Sequence, residues 1–152
     1  MAEKKSSGIK VIAENRKARF DYVIEDTFEA GLELLGSEVK SVRRGDVNLK
    51  DSYIAIENGE AYLLNAHISQ YKASSYMNHA PERKRKLLLN RVEIRKIERA
   101  VDQRGYTCVP LKIYFKNGWA KLEIALARGK KTVDKRASIK EREAKRQVRG
   151  GY

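Results

Sequence analysis

Cysteine occurs once in the 152 residues, as Cys108, so no disulfide can close within the chain and an oxidising destination gains no support. Histidine occurs twice, at His67 and His79, and with a lone thiol these make no convincing zinc centre; no metal is expected. No apolar stretch approaches the ~20 residues of a membrane span. The basic start MAEKKSSGIK lacks the apolar run of a secretory signal. A cytoplasmic protein with no membrane partner is the expectation. Catalytic signatures are missing as well. Gly129-Lys130-Lys131 lacks the preceding spacing and the Ser or Thr of a phosphate loop, no serine elbow occurs, and Cys108 has no partner base in sequence. Glu14, Glu25, Glu29 and Glu38 read as solvated carboxylates. Neither an enzyme nor a cofactor is expected.

Positive charge is what the chain has in excess. Lys and Arg number 33 against 20 Asp and Glu, a formal charge of +13, which points to a polyanionic partner. Leu, Ile, Val and Phe make up 36 of the 152 residues, enough for one small core. Three stretches follow from composition: a basic N-terminal segment, 1–17, with Ile9, Val11, Ile12 and Ala13 able to add an edge strand; an apolar-patterned region, 18–127; and a basic tail, 128–152, holding ten basic residues against three acidic ones.

Turn chemistry marks two hairpins. Asn117-Gly118 suits a type I′ turn and pairs Phe115 with Ala120, Ile113 with Leu122, Leu111 with Ile124 and Val109 with Leu126 on one face, with Tyr114–Lys121 and Lys112–Glu123 opposite. Pro110, without an N–H, predicts an edge or bulge. Asn58-Gly59 joins Tyr53–Glu57 to Glu60–Leu64, with both faces largely apolar, as in a sheet covered on two sides. Glu57 then faces Glu60 in solvent. Tyr22–Ile24 and Leu32–Leu35 read as separate strand pieces around polar Glu25-Asp26-Thr27, with Gly31 marking a bend or close packing. A short helix capped by Ser37 is expected over Glu38–Arg43, ending at Gly45. Asn90 and Glu93 form a capping box for a longer helix with an Ile94, Ile97, Val101 stripe, a ridge of Arg91, Arg95 and Arg99, and Gly105 at its end. After Pro81, Lys84-Arg85-Lys86 and Leu87-Leu88-Leu89 read as a short helix burying leucines and exposing cations. Six or so strands in under 120 residues must cover their edges, so the fold class is mainly β: a small OB-like antiparallel barrel with flanking helices and a basic C-terminal tail. An open α+β sandwich is the alternative.

The basic blocks Lys4–Arg19, Lys84–Arg99 and Arg128–Arg149, interleaved with Phe20, Tyr22, Tyr71 and Tyr76, suit RNA, where cations meet phosphate and rings stack on bases. The tail carries a weak apolar stripe of Ala137, Ile139, Ala144 and Val148 and reads as disordered or helical only on contact with its partner.

The stretches NRKARFDYVIEDTFEAGLELLGSEVKSVRRG, VNLKDSYIAIENGEAYLLNAHI, KRKLLLNRVEI, YTCVPLKIYFKNGWAKLEIALARGKK and DKR closely resemble small protein B, the SsrA-binding protein family of bacteria, from Asn15 to Arg136 in order. The resemblance implies an OB-like barrel that binds the tRNA-like domain of transfer-messenger RNA (tmRNA). With elongation factor Tu and GTP, it delivers that RNA to stalled ribosomes for trans-translation, as a non-catalytic and monomeric adaptor. It further implies an RNA-binding role for Asn15, Arg16, Lys17, Arg19, Glu29 and Leu88, to which the second basic block adds Lys84, Arg85, Lys86 and Arg91 as expected RNA contacts. Gly129, Lys130, Lys131, Asp134, Lys135 and Arg136 match the family segment that begins a tail implied to enter the small-subunit decoding region, and the basic residues Lys140, Arg142, Lys145 and Arg146 are expected to continue it. Two departures stand out: Ala144 lies where the family often has Trp, and Ala80 replaces an acidic residue before the proline. A ribosomal structural RNA-binding protein is the alternative function.

Overall fold

The structure, a computed structural model, describes residues 8–70 and 78–129. Expectations placed on Lys4, Tyr71, Tyr76 and the tail residues from Lys130 onward fall outside the described residues. Along the chain run β1 (Ile9–Glu14), α1 (Arg16–Asp21), β2 (Tyr22–Leu32), α2 (Gly36–Arg43), β3 (Val47–Asn48), β4 (Tyr53–Glu57), β5 (Glu60–Leu64), β6 (His67–Ile68), β7 (Arg85–Leu88), α3 (Arg91–Arg104), β8 (Thr107–Lys116) and β9 (Trp119–Gly129). All pairings are antiparallel. Strands β8, β4, β5, β7, β2 and β9 follow one another round a ring that the β8–β9 hairpin closes, and β1 adds to the free part of the β8 edge. Closure removes the exposed edges of an open sheet, as the barrel reading requires and the sandwich alternative does not.

The Asn58-Gly59 hairpin has the expected register, from Ile54↔Leu63 to Glu57↔Glu60. Only one of its faces is sealed, however: Ile54, Ala61 and Leu63 are buried, whereas Tyr53 stays exposed and Tyr62 half-buried. The two facing glutamates are not left to repel each other, because Lys84 approaches Glu57 at 2.6 Å and Lys86 approaches Glu60 at 3.7 Å.

The Asn117-Gly118 hairpin holds its expected register only from the turn to Lys112↔Glu123. Beyond that, Leu111 is an extra residue in β8, and Pro110 pairs with Ile124, Val109 with Ala125, and Cys108 with Leu126. The bulge corrects the one-face pattern, because a slip of one residue exchanges the faces. Cys108 turns into the barrel core beside Leu122, Ile124 and Leu126. Val109 and Leu111 turn outward with Ala125 and Ala127, and Ala18 of α1 covers them as a second, smaller core.

Three further expectations are corrected. The pieces around Glu25-Asp26-Thr27 form one continuous strand, β2, in which Glu25 is a bulge; pairing with β9 along its length overrides the polar interruption. Leu35 lies outside the strand and is the N-cap of α2, where the Glu38 carboxylate accepts from its N–H at 2.8 Å; Ser37 instead meets His79 Nδ1 at 2.8 Å. The Lys84–Leu89 stretch contains a strand and not a helix. Leu87 is buried and Leu88 exposed, an alternation with period two that β2 and β5 impose from either side. The α3 helix has its capping box, Asn90 accepting from the Glu93 N–H at 2.9 Å, and Gly105 ends it with φ +68°. Its buried stripe is Ile94, Ile97 and Ala100, and Val101 is partly exposed.

A candidate RNA-binding face

Asn15 fixes α1. Its side chain accepts from the Ala18 N–H at 3.3 Å and donates to the Pro110 carbonyl at 3.0 Å and the Leu49 carbonyl at 3.3 Å. Its backbone N–H also donates to the Leu111 carbonyl, at 2.8 Å. The carbonyls released by the β8 bulge are thus satisfied by Asn15, as buried backbone groups must be. Asn15 is buried, so it positions the basic helix and does not itself present a surface to a partner. Arg16, Lys17 and Arg19 are exposed. Lys17 meets Asp51 at 2.8 Å, Arg19 approaches Glu123 at 3.8 Å, and Arg16 makes no ion pair among the described residues.

Arg19 connects α1 to the outer face of the barrel. Paired residues of antiparallel strands project to the same side, so register alone builds this face in rows. One row holds Glu29, Glu123 and Lys112; the next holds Leu88, Gly31, Lys121, Tyr114 and Val11; the last holds Trp119, Lys116 and Ile9. A Cβ on Gly31 would lie 3.2 Å from Leu88 Cβ and 3.3 Å from its Cδ1, so the glycine makes room for the Leu88 side chain to lie over the β2 backbone. Glu29 is anchored at the centre. The Tyr114 hydroxyl donates to its Oε2, and Lys116 Nζ stands 3.5 Å from the same oxygen. Together these hold the Glu29 carboxyl below its usual range, the tyrosine hydrogen bond first, and burial raises the Tyr114 hydroxyl. Among the described residues no donor meets Oε1 of Glu29.

The KRKLLL residues divide between inside and outside. Lys84, Lys86 and Leu88 point outward, and Leu88 is 54% exposed. Arg85 points inward and is fully buried, so its expected place among RNA contacts is corrected. Its Nε donates to Glu38 Oε2 at 2.8 Å, and its Nη atoms donate to the carbonyls of Ala66 at 2.9 Å and Pro81 at 3.0 Å. Arg83 grips the same carboxylate with Nη2 at 2.7 Å and Nε at 3.0 Å. Burial alone would raise the Glu38 carboxyl, but the Arg83 and Leu35 donors and the Arg85 charge outweigh it and hold it low. Arg91 lies apart from this face, exposed at the start of α3 beside the Asn58-Gly59 turn.

Phe20 and Tyr22, expected as stacking rings, are half-buried, and Tyr22 packs on the smaller core. The most open aromatic among the described residues is Trp119, which sequence reasoning passed over. The Asn-Gly turn gave the signal, because placing Phe115 and Ala120 inside forces Lys116 and Trp119 outside. Among the described residues no cluster of His, Cys, Asp and Glu could hold a metal ion, and no helix is long and apolar enough to cross a membrane. Burial pushes the Cys108 thiol up to about 12, which leaves it without nucleophilic character near neutral pH.

A family model described as SmpB protein matches residues 12–151. The SsrA-binding protein of Bdellovibrio bacteriovorus is 62% identical over 144 residues, 95% of each chain. That of Trichodesmium erythraeum is 56% identical over 147 residues, 96% of this chain and 94% of its own. A solved chain described under "tmRNA-SmpB: a journey to the center of the bacterial ribosome" is 52% identical, with a TM-score of 0.67 over 79% of this chain and 85% of that one. With more than half of its residues shared along nearly its full length, on a closely similar fold, this chain belongs to the SmpB family of SsrA-binding proteins.

Proposed function

We propose that the protein is a tmRNA-binding adaptor for trans-translation: it holds the tRNA-like domain of tmRNA and brings it to stalled ribosomes. The observation that carries this reading is the end-to-end likeness to SsrA-binding proteins, including a chain from a tmRNA-SmpB structure. The face running from Arg16, Lys17 and Arg19 through Glu29 to Leu88 is the tmRNA surface. Cations there take phosphates, and Oε1 of Glu29, which no described donor meets, accepts from a base amino group. Lys84, Lys86 and Arg91 add charge around its margins, whereas Asn15 and Arg85 serve it from beneath. In this reading the chain divides into a basic segment, 1–17, whose second half docks on the barrel, the barrel with its helices at 18–127, and a basic tail at 128–152. Gly129, the last residue of β9, leads into that tail, which Lys130, Lys131, Asp134, Lys135 and Arg136 begin and which enters the small-subunit decoding region; Lys140, Arg142, Lys145 and Arg146 continue it. Elongation factor Tu with GTP joins through the tmRNA complex. The protein works as a cytoplasmic monomer and performs no chemistry of its own.

The test is a salt series of binding to the tRNA-like domain of tmRNA, to ribosomal RNA fragments and to an unrelated duplex. Six to ten phosphate contacts would lower affinity by about 10³–10⁵ between 50 and 200 mM salt for any of them. Tighter binding of the tRNA-like domain at every salt concentration supports the adaptor. Equal binding to all three overturns it, and preference for the ribosomal fragments favours a ribosomal structural protein.

A further inference from the structure

The last row of the outer face carries a feature that the contacts of Glu29 and Leu88 do not explain. Trp119 is the only tryptophan in the chain, and it is 74% exposed. A large ring left in water at a fixed place is unusual for a free surface. The place is fixed: Trp119 pairs with Lys116 directly at the turn, and the Asn117 N–H donates to the Gly8 carbonyl at 3.0 Å, tying the hairpin tip to the start of β1. Ile9 and Val11, each 44% exposed, project from β1 onto the same face. Lys116 stands across the hairpin from Trp119 and Lys121 two residues along β9, both on the same face, with Lys116 Nζ 3.5 Å from Glu29. An exposed apolar ring held on a tight hairpin, with lysines as its register neighbours on the same face, is matched to one kind of ligand: a planar group carried on a polyanion.

We propose that Trp119 is a stacking platform for one unpaired base in a loop of the bound RNA, with Lys116 and Lys121 placed for the phosphates on either side of that nucleotide. A base inside a duplex offers no free face, so the platform selects RNA with an unstacked loop over continuous helix. The inference rests on the adaptor reading and deepens it, because it says which structural feature of the tRNA-like domain this end of the face reads.

The sole tryptophan reports on itself. The full chain is titrated with the tRNA-like domain and with a fully paired duplex of equal length, following Trp119 emission and, in parallel, gel mobility. Stacking predicts emission that is quenched as the tRNA-like domain saturates the protein and little changed by the duplex. Trp119→Ala weakens binding of the tRNA-like domain by roughly 5- to 150-fold, and Trp119→Phe, which keeps a ring, recovers most of it. Because the side chain is largely exposed, both variants are expected to retain the wild-type circular dichroism. Complexes seen on the gel with unchanged emission, or Trp119→Ala binding as tightly as wild type, overturn the platform and leave the adaptor standing. Failure of the wild type to bind the tRNA-like domain overturns both. A blue shift that grows with protein concentration in the absence of RNA assigns the ring to a contact between copies of the chain, and also overturns the platform.

Discussion

Glu38 and Arg85 show how a single residue type can mislead. Four basic residues between Arg83 and Lys86 look alike in sequence, yet Arg85 is the largest of the fully buried side chains and Lys84 remains in water. The distinction carries a consequence. Glu38→Gln leaves the buried guanidinium without its counter-charge and should cost about 3–5 kcal/mol, measured by denaturant unfolding. The folded Glu38 carboxyl is held below its unfolded value, so its contribution is fully present above about pH 5. It is lost as pH falls below the ordinary glutamate range and through the folded value that lies beneath it. The wild type should therefore lose stability across that acid window more steeply than Glu38→Gln does. Arg85→Lys should unfold at lower temperature and, while folded, bind RNA as the wild type does. Weakened RNA binding at unchanged stability would return Arg85 to the interface.

Elements were legible where local chemistry was strong. The two Asn-Gly turns, the Asn90–Glu93 capping box and the Gly105 terminus all stand where the sequence puts them. Asn90→Ala should cost α3 about 1 kcal/mol, since the Glu93 N–H loses its acceptor. Gly118, at φ +85°, should cost about 1–2 kcal/mol as alanine, and thermal unfolding of both variants measures these losses. What local chemistry did not fix was register beyond a bulge and the identity of a strand without a period. Pro110 announced an irregularity, but only the demand of Asn15 for two carbonyls shows what the Leu111 bulge is for. Leu87-Leu88-Leu89 has neither helical nor alternating pattern, so its partners β2 and β5 decided the matter.

At the scale of the whole molecule, the barrel closes upon itself within the described residues, and β9 ends at Gly129. Removing everything after Gly129 should therefore leave the unfolding transition within about 1 kcal/mol of wild type, since no described core residue is lost. Affinity for the tRNA-like domain should change little, while tagging of stalled nascent chains in a reconstituted translation system falls to background. Lost folding or undiminished tagging would refute this division of labour between face and tail. By itself the sequence determined the charge excess, the turn positions, the closed antiparallel class and the family, because composition and tight turns depend on neighbours a few residues away. Tertiary structure alone decided which cations face water, where the Leu111 bulge shifts β8, and that Trp119, Lys116, Glu29 and Leu88 share one surface. Those outcomes depend on pairing between strands far apart in the chain, where a shift of one residue sends a side chain from solvent to core.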